Sequence, residues 1–406
     1  MYSPLERTTV AFFIPEWLDL RHPVVQSQIV SLSETLDALG ATTAIVGCSA
    51  NAGLNNAQDC QARGDKILLM KPILRHMGAI GMVIRCLWGA LRAREFISSI
   101  DATHVYVRSV FSAFAAIIIF RPLGATIVFD VRSIVSAEVK GNKFKSQLLV
   151  LFEDFSLRRT DKLLTVSLYL ERFIRLRSRR SDIAVVPSCP DLDMFHFSVA
   201  DRTFLRKKFE FRDEHIVVCY SGGLAHWQRI DDTINLFVKL SEKDENFRFL
   251  IISRDLDIVS SKLKDSGIDE VKVKVVSADF AKVPAFLSAA DVSVVLRHDV
   301  ELNRAASPIK VGEYLACGLP VIFSPCVGDL SMVFSENHLA GYPLTEIGRD
   351  YDALHRFCRI AKKDNSKVQA RKLAEKYFDR SRYVDDYIGT FGLKTLKVIP
   401  HSGDLS

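Results

Sequence analysis

Ala306-Ser307-Pro308-Ile309-Lys310-Val311-Gly312-Glu313-Tyr314-Leu315-Ala316-Cys317-Gly318-Leu319-Pro320-Val321-Ile322 reads as a helix bracketed by signals at both ends and followed by a strand. Ser307 is placed to cap the first turn, and Pro308 suits the first helical position. Gly318 ends the helix, Pro320 prevents its continuation, and Val321–Phe323 resumes as an apolar strand. Lys310 and Glu313 are three residues apart and share one side of the helix. A helix N-terminus attracts phosphate through its free N–H groups and its dipole, and Lys310 adds a full charge there. A carboxylate one turn later is suited to accept hydrogen bonds from ribose hydroxyls. The alternative is a solvent-exposed Lys–Glu ion pair on a structural helix.

Two stretches upstream point the same way. In Tyr220-Ser221-Gly222-Gly223-Leu224, a glycine pair directly follows the apolar strand Ile216–Ser221. Ligands of doubly wound sheets sit beyond the carboxyl ends of the strands, and glycines there let the backbone approach phosphate oxygens. The alternative is an ordinary strand–helix turn, with Trp227 and Gln228 either shaping a pocket or covering the helix start. In Ala290-Asp291-Val292-Ser293-Val294-Val295-Leu296-Arg297, a buried strand delivers an arginine at its carboxyl end. Arginine suits bidentate diphosphate contact, or a salt bridge between domains.

The same alternation of short apolar strands and amphipathic helices extends over the chain and predicts α/β architecture with parallel sheets. Val10–Ile14, Thr43–Val46, His104–Val107, Ile127–Phe129, Leu163–Val166 and Ile183–Val186 read as strands of a first half. Val24–Leu39 reads as one helix ending at Gly40. Ile216–Ser221, Phe247–Ser253, Val271–Val276, Val292–Leu296 and Val321–Phe323 read as strands of a second half, with Ile230–Leu240 a helix between the first two. The polar, charged stretch 198–214 marks a divide. The expected organisation is an N-terminal Rossmann-like domain over 1–197, a C-terminal one over 215–378, a helix over about 379–395 and a flexible tail over 396–406.

Bulk properties exclude several classes. A chain of 406 residues, 48% apolar and 25% charged, buries large cores without staples. Its eight cysteines form no Cys-x-x-Cys pair and sit near no histidine cluster, so they read as buried free thiols, not as a disulfide framework or zinc site. No signal peptide is read at the N-terminus, and the longest apolar run, Phe111–Phe120, is about half a membrane span. The expected location is cytoplasmic, or peripheral on the inner face of the cell membrane. The net charge of +6 and the absence of a binding motif argue against nucleic acid.

In the first half, three loops after strands carry Glu16, Arg21 and His22, then Arg108 and Ser109, then Asp130, Arg132 and Glu138. Such positions are candidates for acceptor binding and proton handling. The basic stretches Lys66–Arg94 and Phe173–Arg180 mix arginine and lysine with bulky apolar residues, a pattern that fits an anionic membrane surface or a solvated helix face.

The strings CYSGGLAHWQ, AADVSVVLR and ASPIKVGEYLACGLPVIFSPCVGD resemble the nucleotide-binding domain of the GT-B glycosyltransferases, specifically the retaining family 4. The N-terminal half is similar more loosely, through FDVRSIVSAE, DKLLTVS and VVPSCPDLDMF. The resemblance implies two Rossmann-like domains facing each other across a cleft, with the C-terminal helix returning to the first. It implies transfer of a sugar from a nucleotide-diphosphate-sugar donor to a glycan or lipid-linked acceptor, retaining and metal-independent, with no cofactor. Donor-binding residues are then Gly222, Gly223, Ser307, Pro308, Lys310 and Glu313, the last matching the second glutamate of the family's Glu-x7-Glu motif. Lys310, Arg297, Arg108 and His22 are the catalytic candidates, and Glu16, Arg21, Asp130, Arg132 and Glu138 lie on the acceptor side. The chain departs from the pattern at Ala305, where the first glutamate would fall, and near Gly223 and Gln228, where the family has cations. Pro15-Glu16-Trp17 replaces its first glycine-rich loop. A non-catalytic partner of the same fold, or a nucleotide-sugar epimerase, are the competing readings.

Overall fold

A computed structural model of the chain describes residues 8–16, 18–20, 22–49, 66–71, 73, 78–138, 143–346 and 350–393. Arg21 and the tail 396–406 lie outside the described residues, as does the side chain of Glu138. The chain forms two compact units. The first comprises residues 1–166, 170–186 and 383–406, and the second 167–169 and 187–382.

The first unit is built on strands β1 (Thr9–Ile14), β2 (Thr42–Cys48), β3 (Lys66–Met70), β4 (His104–Val107), β5 (Thr126–Val131), β6 (Lys162–Thr165) and β7 (Ile183–Val185). They form one parallel sheet in the order β3-β2-β1-β4-β5-β6-β7. The second unit holds β8 (Ile216–Ser221), β9 (Phe247–Ile252), β10 (Val273–Val276), β11 (Val292–Val295), β12 (Val321–Phe323) and β13 (Gly341–Pro343). These are also parallel, in the order β10-β9-β8-β11-β12-β13. The α/β class read from the alternation of elements is therefore observed, with two Rossmann-like sheets. Each order reverses once, between β1 and β4 in the first sheet and between β8 and β11 in the second, which creates a crevice at the carboxyl ends of those strands.

The strands are buried on both faces, as parallel sheets covered by helices require. Every residue of β8, Ile-Val-Val-Cys-Tyr-Ser, is buried. The helix Ile230–Lys243 that follows it buries Ile230, Ile234, Phe237 and Leu240, spaced to form one face. Each such side chain contributes about 1.5–3 kcal/mol of hydrophobic stabilisation. Asp231 and Asp232 in its first turn complement the helix dipole.

Several local expectations change. The segment read as one helix over Val24–Leu39 contains a wider π-helical turn at Gln26–Val30 between α-helical Pro23–Val25 and Ser31–Ala38. The basic stretch Lys66–Arg94 begins as β3, pairing beside β2, before the helix Gly78–Ser99. The polar stretch 198–214 folds as the helix Val199–Lys208 within the second unit, where Leu205, Phe209 and Phe211 enter the core. Arg206 is also buried and, with Arg202, pairs with the buried Asp291, and composition alone does not register these anchors. The apolar run near Phe111–Phe120 is the helix Val110–Ile119, largely buried in the first unit. The chain end breaks between the helix Asp364–Tyr377 and the helix Val384–Phe391, and the latter packs on β6 and β7. Among the described residues no helix is long and apolar enough to cross a membrane, and seven cysteines are free thiols.

Candidate functional site

The crevice of the second sheet gathers most of the residues singled out in its sequence. At the end of β8 the chain turns through Gly222, whose φ of +139° is open to glycine and strained for other residues. A Cβ at Gly222 would also stand 2.5 Å from the Lys310 ammonium nitrogen. The glycine therefore serves two needs, an unusual backbone conformation and a close approach by a cation. The Gly222 N–H donates to Ile252 O at 2.9 Å, which ties the turn to β9.

Lys310 comes from the helix Ile309–Ala316, the segment that the punctuation of the sequence delimits. Cys317 closes that helix and Gly318 follows in the left-handed conformation. The N-terminal end differs from expectation. Pro308 occupies the cap position with no side-chain hydrogen bond, and the Ser307 hydroxyl instead accepts from the Ser188 N–H at 3.0 Å. The extended backbone of Pro308 turns the serine away from the helix and towards the chain after β7. Gly312 packs where a Cβ would meet Pro190 at 2.8 Å, so this helix lies unusually close to the Pro187–Pro190 turn.

The Lys310 ammonium donates to Gln228 Oε1 and lies 4.8 Å from the centroid of the Tyr220 ring. Tyr220 Oη donates to Gly223 O at 2.6 Å and lies 3.2 Å from the same Gln228 oxygen. Arg297, at the end of β11, reaches Asn303 Oδ1 at 3.3 Å, while its buried Nε–H has no acceptor. No carboxylate forms an ion pair with either cation among the described residues. Burial, and next the charge of Arg297, depress the Lys310 ammonium to a pKa of about 7. Burial also disfavours the charged form of Arg297.

Glu313 is 8% exposed and has no hydrogen-bond partner among the described residues. Burial raises its pKa to about 7, against the pull of Lys310. The solvent-exposed Lys–Glu pair is thus excluded, because both groups are withdrawn from water and neither hydrogen-bonds the other. Tyr314, one residue on, is fully buried. Its hydroxyl accepts from Ser221 N–H at 2.7 Å and donates to Ser221 O at 3.2 Å, which pins the end of β8 to the helix. Tyr314 was given no role from sequence, and Gln228 was read only as shaping a pocket or covering the helix start. Each acts on a group many positions away, and the only local signal was a polar group next to a glycine turn or a carboxylate.

In the first unit, Glu16, Arg108 and Ser109 lie at the β1–β4 crevice, and Asp130 and Arg132 follow along β5. Asp130 is buried and accepts from the Tyr106 hydroxyl and from Arg132 Nε at 2.8 Å. Glu16 Oε1 accepts from the Ser109 hydroxyl and from the Cys86 thiol at 3.6 Å. His22 sits at the entry to the following helix, where its Nδ1 accepts from Val24 N–H at 3.3 Å. No group of three or more His, Cys, Asp or Glu able to hold a metal ion occurs among the described residues.

The arrangement in the second unit can bind an anion with two cations and a glycine turn, and can accept hydroxyl hydrogens with a buried carboxylate. Comparison with known proteins gives the family and the fold. The model of the family described as "Glycosyl transferases group 1" matches residues 201–376, and that of the "Glycosyl transferase 4-like domain" matches residues 25–189. No curated protein is significantly similar in sequence to the chain. Among solved structures, sucrose-phosphate synthase from Thermosynechococcus elongatus superposes with a TM-score of 0.74 at 13% identity, covering 96% of this chain and 100% of that one. The catalytic domain of starch synthase IV from Arabidopsis thaliana, bound to ADP and acarbose, gives 0.71 at 12%, covering 95% and 99%. The Anabaena protein HepE in complex with UDP gives 0.69 at 14%, covering 95% and 100%. With one family model over each half and the GT-B fold throughout, the chain belongs to the GT-B glycosyltransferases.

Proposed function

We propose that the chain moves a sugar from a nucleoside-diphosphate donor to a glycan or lipid-linked glycan acceptor, with retention at the anomeric carbon and without a metal ion. The observation that carries this reading is the pair Arg297 and Lys310, two cations that form no ion pair with a carboxylate among the described residues, set beside the Gly222 turn at the β8–β11 crevice. Transfer breaks the bond between the anomeric carbon and a diphosphate oxygen and forms one to an acceptor oxygen, whose proton departs. Charge grows on the diphosphate as the first bond breaks, and fixed cations in a half-buried site stabilise it. Glu313 would hold the ribose hydroxyls, while Ser307 and Pro308 shape the approach to the helix. Complexes of HepE with UDP and of starch synthase IV with ADP support the donor class.

The test is the thermal shift of the full chain against nucleoside diphosphates and nucleotide sugars at several pH values. A ligand at 100 times its dissociation constant should stabilise by about 2.7 kcal/mol. Lys310 is about half protonated near pH 7 in the free protein. A bound diphosphate favours its charged form and raises that pKa, so binding takes up a proton at alkaline pH. Affinity is therefore expected to be full below pH 7 and to fall between pH 7 and 9 by up to about tenfold per unit. Lys310→Ala should flatten that slope. A selective ligand would name the base; no shift with any donor at any pH would overturn the reading.

The helix Gly78–Ser99 exposes Ile80, Ile84 and Leu91, with Arg92 and Arg94 also exposed. On these residues rests the proposal that the first unit meets an anionic membrane surface, where a lipid-linked acceptor would be found. Sedimentation with phosphatidylglycerol vesicles should carry the protein down at low salt and release it at high salt. Absence of binding at low salt would remove the membrane from the picture.

A further inference from the structure

The first unit carries a second concentration of charge. Its sheet reverses order between β1 and β4, and Arg108 leaves the carboxyl end of β4 at that reversal. Arg132 leaves the neighbouring strand β5. Both guanidinium groups converge on one oxygen, Asp130 Oδ2, Arg132 at 2.8 Å and Arg108 at 3.9 Å. That oxygen also accepts from the Tyr106 hydroxyl. Arg108 is thus beyond hydrogen-bond reach of the shared carboxylate, and its Nε–H, buried, has no acceptor. One of its terminal N–H groups donates to Gln28 Oε1, supplied by the π-helical turn Gln26–Val30. Such wide turns recur at functional sites. The arginine side chains keep 18% and 21% of their surface exposed, against 4% for Asp130.

One oxygen of each acceptor side chain in this cluster is engaged within the protein. Asp130 Oδ2 takes Tyr106 and Arg132, Glu16 Oε1 takes Ser109 and Cys86, and Gln28 Oε1 takes Arg108. Arg85 adds a third guanidinium, donating to the main-chain oxygen of Glu16. Burial, and next the charge of Arg132, work against the charge on Arg108. Recognition of neutral sugar hydroxyls favours free carboxylate or amide oxygens, whereas here the arginine side chains are the partly exposed ones and Asp130 is buried. A planar fork of N–H donors matches a carboxylate or a phosphate.

We propose that the β1–β4 crevice of the first unit is a binding site for an anionic group, a carboxylate or a phosphate, borne by the acceptor, with Arg108 as its main ligand and Arg132 beside it. Asp130 is the internal counter-ion that holds the two guanidinium groups together when the site is empty. The inference rests on the glycosyl-transfer reading, since it names the class of that reaction's acceptor.

Isothermal titration of the full chain with glucose 6-phosphate, glucuronate and glucose tests it. At least one of the two anionic sugars should bind, with glucose at least tenfold weaker; which one binds tells phosphate from carboxylate. Arg108→Gln should weaken that binding tenfold or more, and Lys310→Ala should leave it unchanged. Arg108→Lys keeps the charge, loses the fork, and should fold as the parent while binding several-fold more weakly. Equal affinity for glucose, parental affinity in both Arg108 variants, or loss of the anionic sugar in Lys310→Ala would each overturn the proposal. Binding of none of the three would do the same. Nucleoside diphosphate titrated in parallel separates the two ideas. If anionic sugar binds and diphosphate does not, the donor reading fails; the reverse outcome refutes only the anionic acceptor site.

Discussion

Replacing Lys310 with alanine is expected to lower sugar transfer about a hundredfold or more, with little loss of thermal stability. The ammonium sits against the Gly222 turn, held by Gln228 Oε1 and the Tyr220 ring, with no carboxylate paired to it. A cation kept in this way is poorly placed to stabilise the fold. Its depressed pKa of about 7 shows that the folded protein disfavours its charge. The interaction that would repay that cost is with charge developing on the leaving diphosphate, where removing one preorganised donor typically costs about 3 kcal/mol. The loss should fall on kcat as well as on donor affinity, because the diphosphate is more negative in the transition state than in the bound donor. Steady-state kinetics and a melting curve on the same preparation check both halves. Near-normal turnover would remove Lys310 from the reaction, and a large fall in melting temperature would assign it to the fold.

Gly222→Ala is expected to approach the same functional loss by a different route. The alanine would have to adopt a φ of +139°, and its Cβ would stand 2.5 Å from the Lys310 nitrogen. Strained backbone of this kind costs about 1–3 kcal/mol, and the contact additionally drives the ammonium off the turn. Donor affinity should fall at least tenfold, with a drop in melting temperature that Lys310→Ala does not show. The double variant separates the two causes. Once Lys310 is shortened, the clash disappears, so Gly222→Ala should then cost only its backbone strain and the two functional losses should fall well short of additive. Full additivity would mean that the glycine and the lysine act independently, contrary to the close approach seen here.

Much of this architecture was legible in the residue order. Near-continuous apolar strands such as Ile216–Ser221, alternating with helices of apolar spacing, specify parallel α/β layers because strands covered on both faces need no polar side. Pro308, Gly318 and Pro320 bracket a helix because proline and glycine act through the backbone and need no distant partner. Gly222 is recognisable for the same reason, a glycine directly after a buried strand. The short edge strands β3 and β13 escaped, since edge position depends on which strand lies beside them.

What only the tertiary structure decided is the electrostatic state and partnership of the side chains. From sequence, Lys310 and Glu313 were equally compatible with a solvated ion pair; the fold buries Glu313, half-buries Lys310 and places Arg297 near the lysine, which brings their pKa values together near 7. Ser307 looked like a helix cap, yet its hydroxyl serves Ser188, 119 positions earlier. Tyr314 clamps Ser221 across 93 positions, and Gln228 meets Lys310 across 82. The convergence of Arg108, Arg132 and Tyr106 on Asp130 likewise exists only because β4 and β5 lie side by side. The residue order determined the strands, the helices and the glycine turn, because those depend on local backbone preferences and apolar spacing. Burial and charge pairing depend on which segments the completed fold brings together, and that was decided by the sheet orders of the two units.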